Sequence, residues 1–380
     1  MRQSCWQVWP DRGFLINPDP LPRLCDALDG LPIAASELAH AEALASELPD
    51  LIADKRLREA LDELPVVDLW PLHPELDQID FRVIERLMQM YSYFASAYVF
   101  GGDPVRRIPS GVALPLVQLA DMVERPPILS YAGYGLCNWE RIDSSKPISI
   151  DNTRIVQSFL GISDEAWFIR VHVEIEAHAA EGLFSIQKAV HALDDIDTLE
   201  AALASVVVSV TRMIETFRRM AEGCDSDVYY HQMRPYMFGF TDIIYEGAFG
   251  DQPQSFRGQT AAQSSIIPAL VAALGVQHET TSLTQHLDIM KDYMPKPHRE
   301  LIARLHESGI RAAVIQHRDN RPLAEVYNEC LRKVLAFRQL HYRYAMAYIG
   351  SKNQNATGTG GTNFMEWLKH LIDETERQLV

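Results

Sequence analysis

The sequence predicts a mainly α protein: a large all-helical domain over residues 151–380, preceded by a smaller mixed domain over residues 1–150. Three observations carry this. Apolar residues recur at three- and four-residue spacing through almost all of the chain after Asp164, the period of an amphipathic helix. The best strand signal is one stretch, "SSKPISIDNTRIVQSFLG", where proline, serine and β-branched residues cluster, and the two domains are expected to meet there. Finally, 380 residues with 47% hydrophobic and 23% charged content are ordinary globular material, enough for one large domain or two.

Taken in order, the first 35 residues are rich in proline and aromatics and read as an irregular wrapping segment. Residues 36–64 are helical in composition, with a break at Pro49. Residues 79–100 form a long helix that is apolar nearly all round, and so is expected to be buried. "GGDPVRRIPSG" interrupts the chain, and helix, turn and mixed structure follow. Beyond the strand, helices are expected near 165–192, 196–223, 260–275, 282–292, 297–308, 320–350 and 363–378. The longest, 320–350, has no internal glycine or proline after Pro322.

The formal net charge is −16, from 51 acidic and 35 basic residues, with no lysine or arginine run, which argues against a nucleic-acid partner. No stretch reaches the roughly 18 apolar residues of a membrane-spanning helix, and "MRQSCWQVWPDRGFL" lacks the apolar core of a secretory signal. Five scattered cysteines form neither C-x-x-C nor C-x-x-C-H. A reducing, cytoplasmic protein without structural disulfides is expected.

Several polar residues sit where chemistry is possible. Val334, Phe337, His341, Tyr344 and Tyr348 share one face of the 320–350 helix. An imidazole there is either a hydrogen-bonded core residue or a metal ligand. Arg338 lies nearly one turn earlier, where a guanidinium can meet a carboxylate; an axial histidine with an arginine for a propionate is what a buried haem requires. A second stripe holds Phe168, His172, Ile175 and Glu176, with Glu174 and His178 on another face, read as an exposed charged one. His172 and Glu176 could be a metal-ligand pair, or a histidine oriented by a carboxylate. A di-iron carboxylate bundle needs two E-x-x-H motifs, and the chain has one, "ELAH" at 37–40. Arg234 stands among aromatics in "YYHQMRPYMFGF", and Pro235 turns it away from the α conformation. It pairs with a structural carboxylate or receives a substrate's. "FRGQTAAQSS" and "GTGGT" allow close backbone approach to a ligand, and neither is a phosphate loop.

Taken together, "ILSYAGYGLCNW", "MRPYMFGF", "YEGAFGDQPQSFRGQTAAQSS", "MKDYMPKPHRELI", "FRQLHYRYAMAYI" and "GTGGT" resemble the indoleamine 2,3-dioxygenase family in content and order, over roughly residues 128–375. The resemblance implies a large helical domain holding non-covalent haem b, with His341 as the iron ligand and Arg338 near a propionate. It implies Thr260, Ala261 and Ala262 as a small-residue loop over the haem. Arg234 would receive the substrate carboxylate, Tyr229 would flank the indole, Tyr131, Tyr134 and Phe168 would wall the pocket, and Thr362 would meet the amino-acid end. At the distal position, where mammalian members have serine, this chain has His172, or Arg170 if the alignment slips by two. "FIRVHVEIE" is similar instead to the distal segment of tryptophan 2,3-dioxygenases. A carboxylate that supports the proximal side in mammalian members is Val271 here.

The implied activity is insertion of both atoms of O₂ across the indole C2–C3 bond of L-tryptophan or a related indoleamine, giving N-formylkynurenine. An electron donor that keeps the iron ferrous is an implied partner. The alternative is a haem protein that binds an indole without oxygenating it, as a sensor or a redirected biosynthetic enzyme.

Overall fold

The computed structural model describes residues 3–27, 31–33, 35–279, 281–352, 358–359 and 364–380. Several of its helices begin where the sequence supplies side-chain caps. The helical stretch at 36–64 is three pieces, α1 (Ala35–Ser46) followed by Leu48–Ala53 and Leu57–Asp62. Pro49 sits in the first turn of the second piece, where its missing N–H is not needed, so it starts a helix as well as ending one. Asp80 accepts from the backbone N–H of Arg82 at 3.0 Å and opens α2 (Phe81–Phe100). Nearly every side chain of α2 is buried, as its all-round hydrophobicity predicts. α3 (Ser110–Val123) follows and packs on it.

The expected 165–192 helix divides at Ala179 into α4 (Ser163–His178) and α5 (Ala180–Ala189). Asp195 caps α6 (Ile196–Arg218), accepting from the N–H of Thr198 at 3.1 Å. Then come α7 (Ile266–Ala273), α8 (Ser282–Lys291) and α9 (Lys296–Leu305). Asn320 caps α10 (Arg321–Ala345), with Pro322 in its first turn, and the helix runs on through a π turn at Met346–Gly350. α11 (Phe364–Glu376) closes the chain.

Mainly α is therefore what the chain adopts, with short strands beside the helices. β1 (Arg107–Ile108) pairs in parallel with β4 (Phe240–Tyr245), which pairs antiparallel with β5 (Gln254–Phe256). The strand signal near 150 resolves to β3 (Thr153–Arg154), paired antiparallel with β2 (Glu140–Arg141). β4 and β5, and a further helix at Ile310–Gln316, go beyond the periodicity reading. β4 buries its residues irregularly and carries a register shift, so it shows no two-residue alternation to detect.

α6 is the central strut, packing against α10, α5 and α4, while α11 packs on α10. Gly182 of α5 lets the α5–α6 pair close: a Cβ there would lie 3.0 Å from Val206 Cα and from Ser209 Cβ. Ser209 Oγ accepts from the Gly182 N–H at 2.9 Å. α4, the C-terminal end of α6 and α10 leave a gap between them, bordered by α7 and the segment before it. That gap is the cavity described next.

Candidate active site

The cavity has a volume of about 580 Å³, within the range of small-molecule and cofactor sites. α4 contributes Phe168, His172, Ile175 and Glu176 to its wall, so the stripe drawn from three- and four-residue spacing does face one space. From α10 come Phe337, Arg338, His341 and Tyr344, with Tyr348 from the π turn. Thr260, Ala261 and Ala262 lie across the same cavity, as do Gly358 and Thr359 of "GTGGT". Thr359 Oγ1 donates to the carbonyl of Gln259 at 2.5 Å, joining the two small-residue segments. Thr362 lies outside the described residues.

Among the described residues five imidazoles border this space, two of them His172 of α4 and His341 of α10. His341 makes no hydrogen bond among the described residues and packs 6.1 Å from the ring of Phe217. Burial, reinforced by nearby His172, lowers its pKa to about 4, so it is neutral at pH 7 and a nitrogen lone pair is available to a metal. His172 Nδ1 lies 2.7 Å from the carbonyl of Phe168. A carbonyl can only accept, so Nδ1 carries the proton and Nε2 is left as an acceptor. Burial lowers this histidine's pKa as well. Arg170, the alternative at that position, is not in the wall: it donates to the carbonyl of Ile150 at 3.1 Å and lies over Trp167.

Glu176 does not orient His172, contrary to one of the two roles open to it. Its Oε1 accepts from Tyr131 Oη at 3.0 Å and from Ser264 Oγ at 2.8 Å. Its Oε2 is buried without a hydrogen-bond partner among the described residues. Burial outweighs the two hydroxyls and pushes its pKa up to about 7. Glu174, read as part of an exposed face, is buried too: Ile150 N–H and Thr216 Oγ1 donate to it, and His178 lies 3.5 Å away. One backbone donor, from the 3₁₀ turn at Ile150–Asn152, and one hydroxyl from α6 draw that carboxylate inward, which spacing alone could not reveal.

The aromatic wall divides. Tyr131 and Phe168 border the cavity; Tyr229 stacks on Phe168 with centroids 5.1 Å apart and borders it too. Tyr134 does not. It packs 6.3 Å from Phe168, one residue removed from the space, its hydroxyl buried and without a hydrogen-bond partner among the described residues. Arg234 is likewise buried outside the wall, its guanidinium 4.8 Å from the Phe238 ring and 5.3 Å from Tyr230. The bend expected from Pro235 is a π turn at Tyr229–Met233 running into a 3₁₀ turn at Arg234–Met237, and Arg234 itself is in the α region. Proline disfavours that conformation before it without forbidding it, and here it occupies the opening of the tighter turn.

Arg338 is in the wall, but its guanidinium turns toward α11. It donates to the Leu371 carbonyl at 3.0 Å, to Thr375 Oγ1, and to His278 Nε2 at 3.4 Å. Those partners lie far away in sequence and gave no local signal. Ser264 lies within "FRGQTAAQSS", where nothing in the sequence marks it as a partner of Glu176. Met213, Phe217 and Met220, which floor the cavity from α6 and the turn after it, read simply as core.

A mainly helical protein with an apolar cavity between two neutral histidines has the form of a metallocofactor enzyme. The model of the indoleamine 2,3-dioxygenase family matches residues 2–356. Indoleamine 2,3-dioxygenase 1 of Mus musculus is 31% identical over 400 residues, covering 97% of this chain and 94% of its own. Indoleamine 2,3-dioxygenase of Saccharomyces cerevisiae is 28% identical over 428 residues, covering 97% and 91%. The chain belongs to the indoleamine 2,3-dioxygenase family, whose members are haem dioxygenases. The site fits that cofactor: an unbonded, neutral imidazole faces a largely apolar space bordered by small residues that leave room for a flat ring system.

Proposed function

We propose that this protein cleaves the indole C2–C3 bond of L-tryptophan, or of a closely related indoleamine, adding both atoms of O₂ to give N-formylkynurenine. The observation that carries the reading is the pair of neutral histidines on one cavity, with the proton of His172 committed to the Phe168 carbonyl. His341 would hold the iron of a non-covalent haem b, and Thr260–Ala262 would border its ring. When bound, that group supplies the oxygen-activating chemistry.

The protein's own side chains do the rest. His172 Nε2, an acceptor in its fixed tautomer, receives the indole N–H and orients the ring. Phe168 and Tyr229, already stacked, give the indole a flat apolar wall and exclude water. Arg234, buried beside Tyr229, is the partner for the substrate carboxylate, reached at the Tyr229 end of the cavity. Arg338 stays neighbour to the cofactor while holding α11 in place. Thr359 donates to the Gln259 carbonyl at the border of the cavity.

The test is to incubate reduced, haem-loaded protein with L-tryptophan under ¹⁸O₂ and weigh the product. N-formylkynurenine carrying two labelled oxygens is expected. Bound haem with no labelled product from L-tryptophan or other indoleamines would overturn the dioxygenase reading.

A further inference from the structure

The last helix gathers a donor set that the cavity chemistry leaves unused. His370 and Glu374 are one turn apart on α11, hence on one face, with His370 Nε2 3.0 Å from Glu374 Oε1. Glu279, from the segment before α8, brings its carboxylate to the same place: one donor atom from each of the three lies within 4.8 Å of the other two.

Hydrogen bonding accounts for Glu374 but not for His370. The Glu374 carboxylate accepts from the backbone N–H of Glu279 at 2.9 Å and from His278 Nδ1. His370 Nε2 is shielded from solvent and makes no hydrogen bond among the described residues, despite the carboxylate beside it. A shielded imidazole nitrogen, near a carboxylate oxygen but out of hydrogen-bonding line, is how two ligands look when both turn toward a third atom.

The geometry points to a divalent transition-metal site formed by Glu279, His370 and Glu374. Zinc is the ion that one imidazole and two carboxylates suit, with a water completing the tetrahedron. Bonds of about 2.0–2.2 Å place tetrahedral ligands roughly 3.3–3.6 Å apart. The His370–Glu374 spacing is close to that already. The exposed Glu279 side chain closes the remaining ångström by rotation.

The position of the site gives it a role. Arg338 donates to His278 Nε2, so the proton of that imidazole is on Nδ1 and is given to Glu374. A carboxylate–histidine–arginine chain therefore runs from the ion to the cavity wall. Metal binding would pin the segment 277–279 to α11 on the Arg338 side of the cavity. The site stands on its own donors and does not depend on which indole the cavity takes.

The experiment is equilibrium dialysis of tag-free, haem-loaded protein against micromolar free zinc, counting zinc by elemental mass spectrometry so that haem iron is read separately. His370→Ala and Glu279→Gln are compared with wild type. Both replaced side chains reach the surface, whereas Glu374 is buried and is left in place. One zinc per chain in wild type is expected, at least tenfold weaker binding in each variant, and a zinc-dependent rise in melting temperature confined to wild type. No retained zinc in wild type, or wild-type zinc affinity in both variants, would overturn the proposal.

Discussion

At the scale of single residues, Glu176 offers a prediction whose sign follows from burial. Its folded pKa of about 7 stands above the ordinary 4.5, so between those values the unfolded chain has released the proton and the folded one has kept it. Stability from this group is fully present below pH 4.5 and is lost as pH rises through 7. Over that span the loss amounts to roughly 3 kcal/mol, at about 1.4 kcal/mol per unit. Glu176→Gln preserves the oxygen that Tyr131 and Ser264 donate to and removes the titration. Urea midpoints at pH 5 and pH 8 should converge in the variant relative to wild type; an equal pH difference in both would refute the assignment. Arg234 offers a second test. Arg234→Leu should raise KM for L-tryptophan about a hundredfold, the scale of roughly 3 kcal/mol for stranding a charged partner. Tryptamine, which has no carboxylate, should lose far less. If both substrates lose equally, Arg234 supports the wall without meeting the substrate.

At the scale of elements, the sequence was most readable where a helix runs long and one face is apolar. His341, Tyr344 and Tyr348, like Phe168 and His172, share a cavity because three- and four-residue spacing puts them on one side of α10 and α4. The short strands were opaque, since β1 spans two residues and β4 lacks alternation. So were contacts between distant elements: nothing near Arg338 announces Thr375 or His278, and nothing near Tyr134 says that Phe168 stands between it and the cavity. Close helix pairing is equally hidden, and Gly182 shows why it matters. Gly182→Ala places a methyl group against Val206 and Ser209, where helix backbone cannot yield as a flexible side chain would. The expected cost is about 1–3 kcal/mol, read as a lower urea midpoint. Because α6 also carries Met213 and Phe217, the Soret band of the bound cofactor should shift or broaden with it. An unchanged midpoint would mean that α5 moves freely on α6.

At the scale of the whole molecule, the parts on either side of residue 150 hold each other's buried groups. β1 pairs with β4, Tyr131 donates to Glu176, and His298 of α9 packs against Trp6 and Phe14, with ring centroids at 5.4 Å and 4.4 Å. His298 is fully buried, and burial, aided by the charge of Arg125, lowers its pKa to about 3. The sign is opposite to that of Glu176. Below its ordinary 6.5 the unfolded chain gains a proton that the folded one refuses, so stability falls as pH drops from 6.5 toward 3. By pH 4.5 this one histidine accounts for roughly 2–3 kcal/mol, a large share of the 5–15 kcal/mol typical of a folded protein. His298→Leu keeps an apolar group against the two rings and gives up the contact with Ser265 Oγ at 3.2 Å. The variant should be less stable than wild type at pH 7, yet lose less on acidification to pH 4.5. Because the histidine belongs to one part and its aromatic neighbours to the other, tryptophan fluorescence and the Soret band should report the same midpoint at each pH. Parallel acid losses in both proteins would show that His298 does not set them, and separated midpoints would show that the two parts unfold apart.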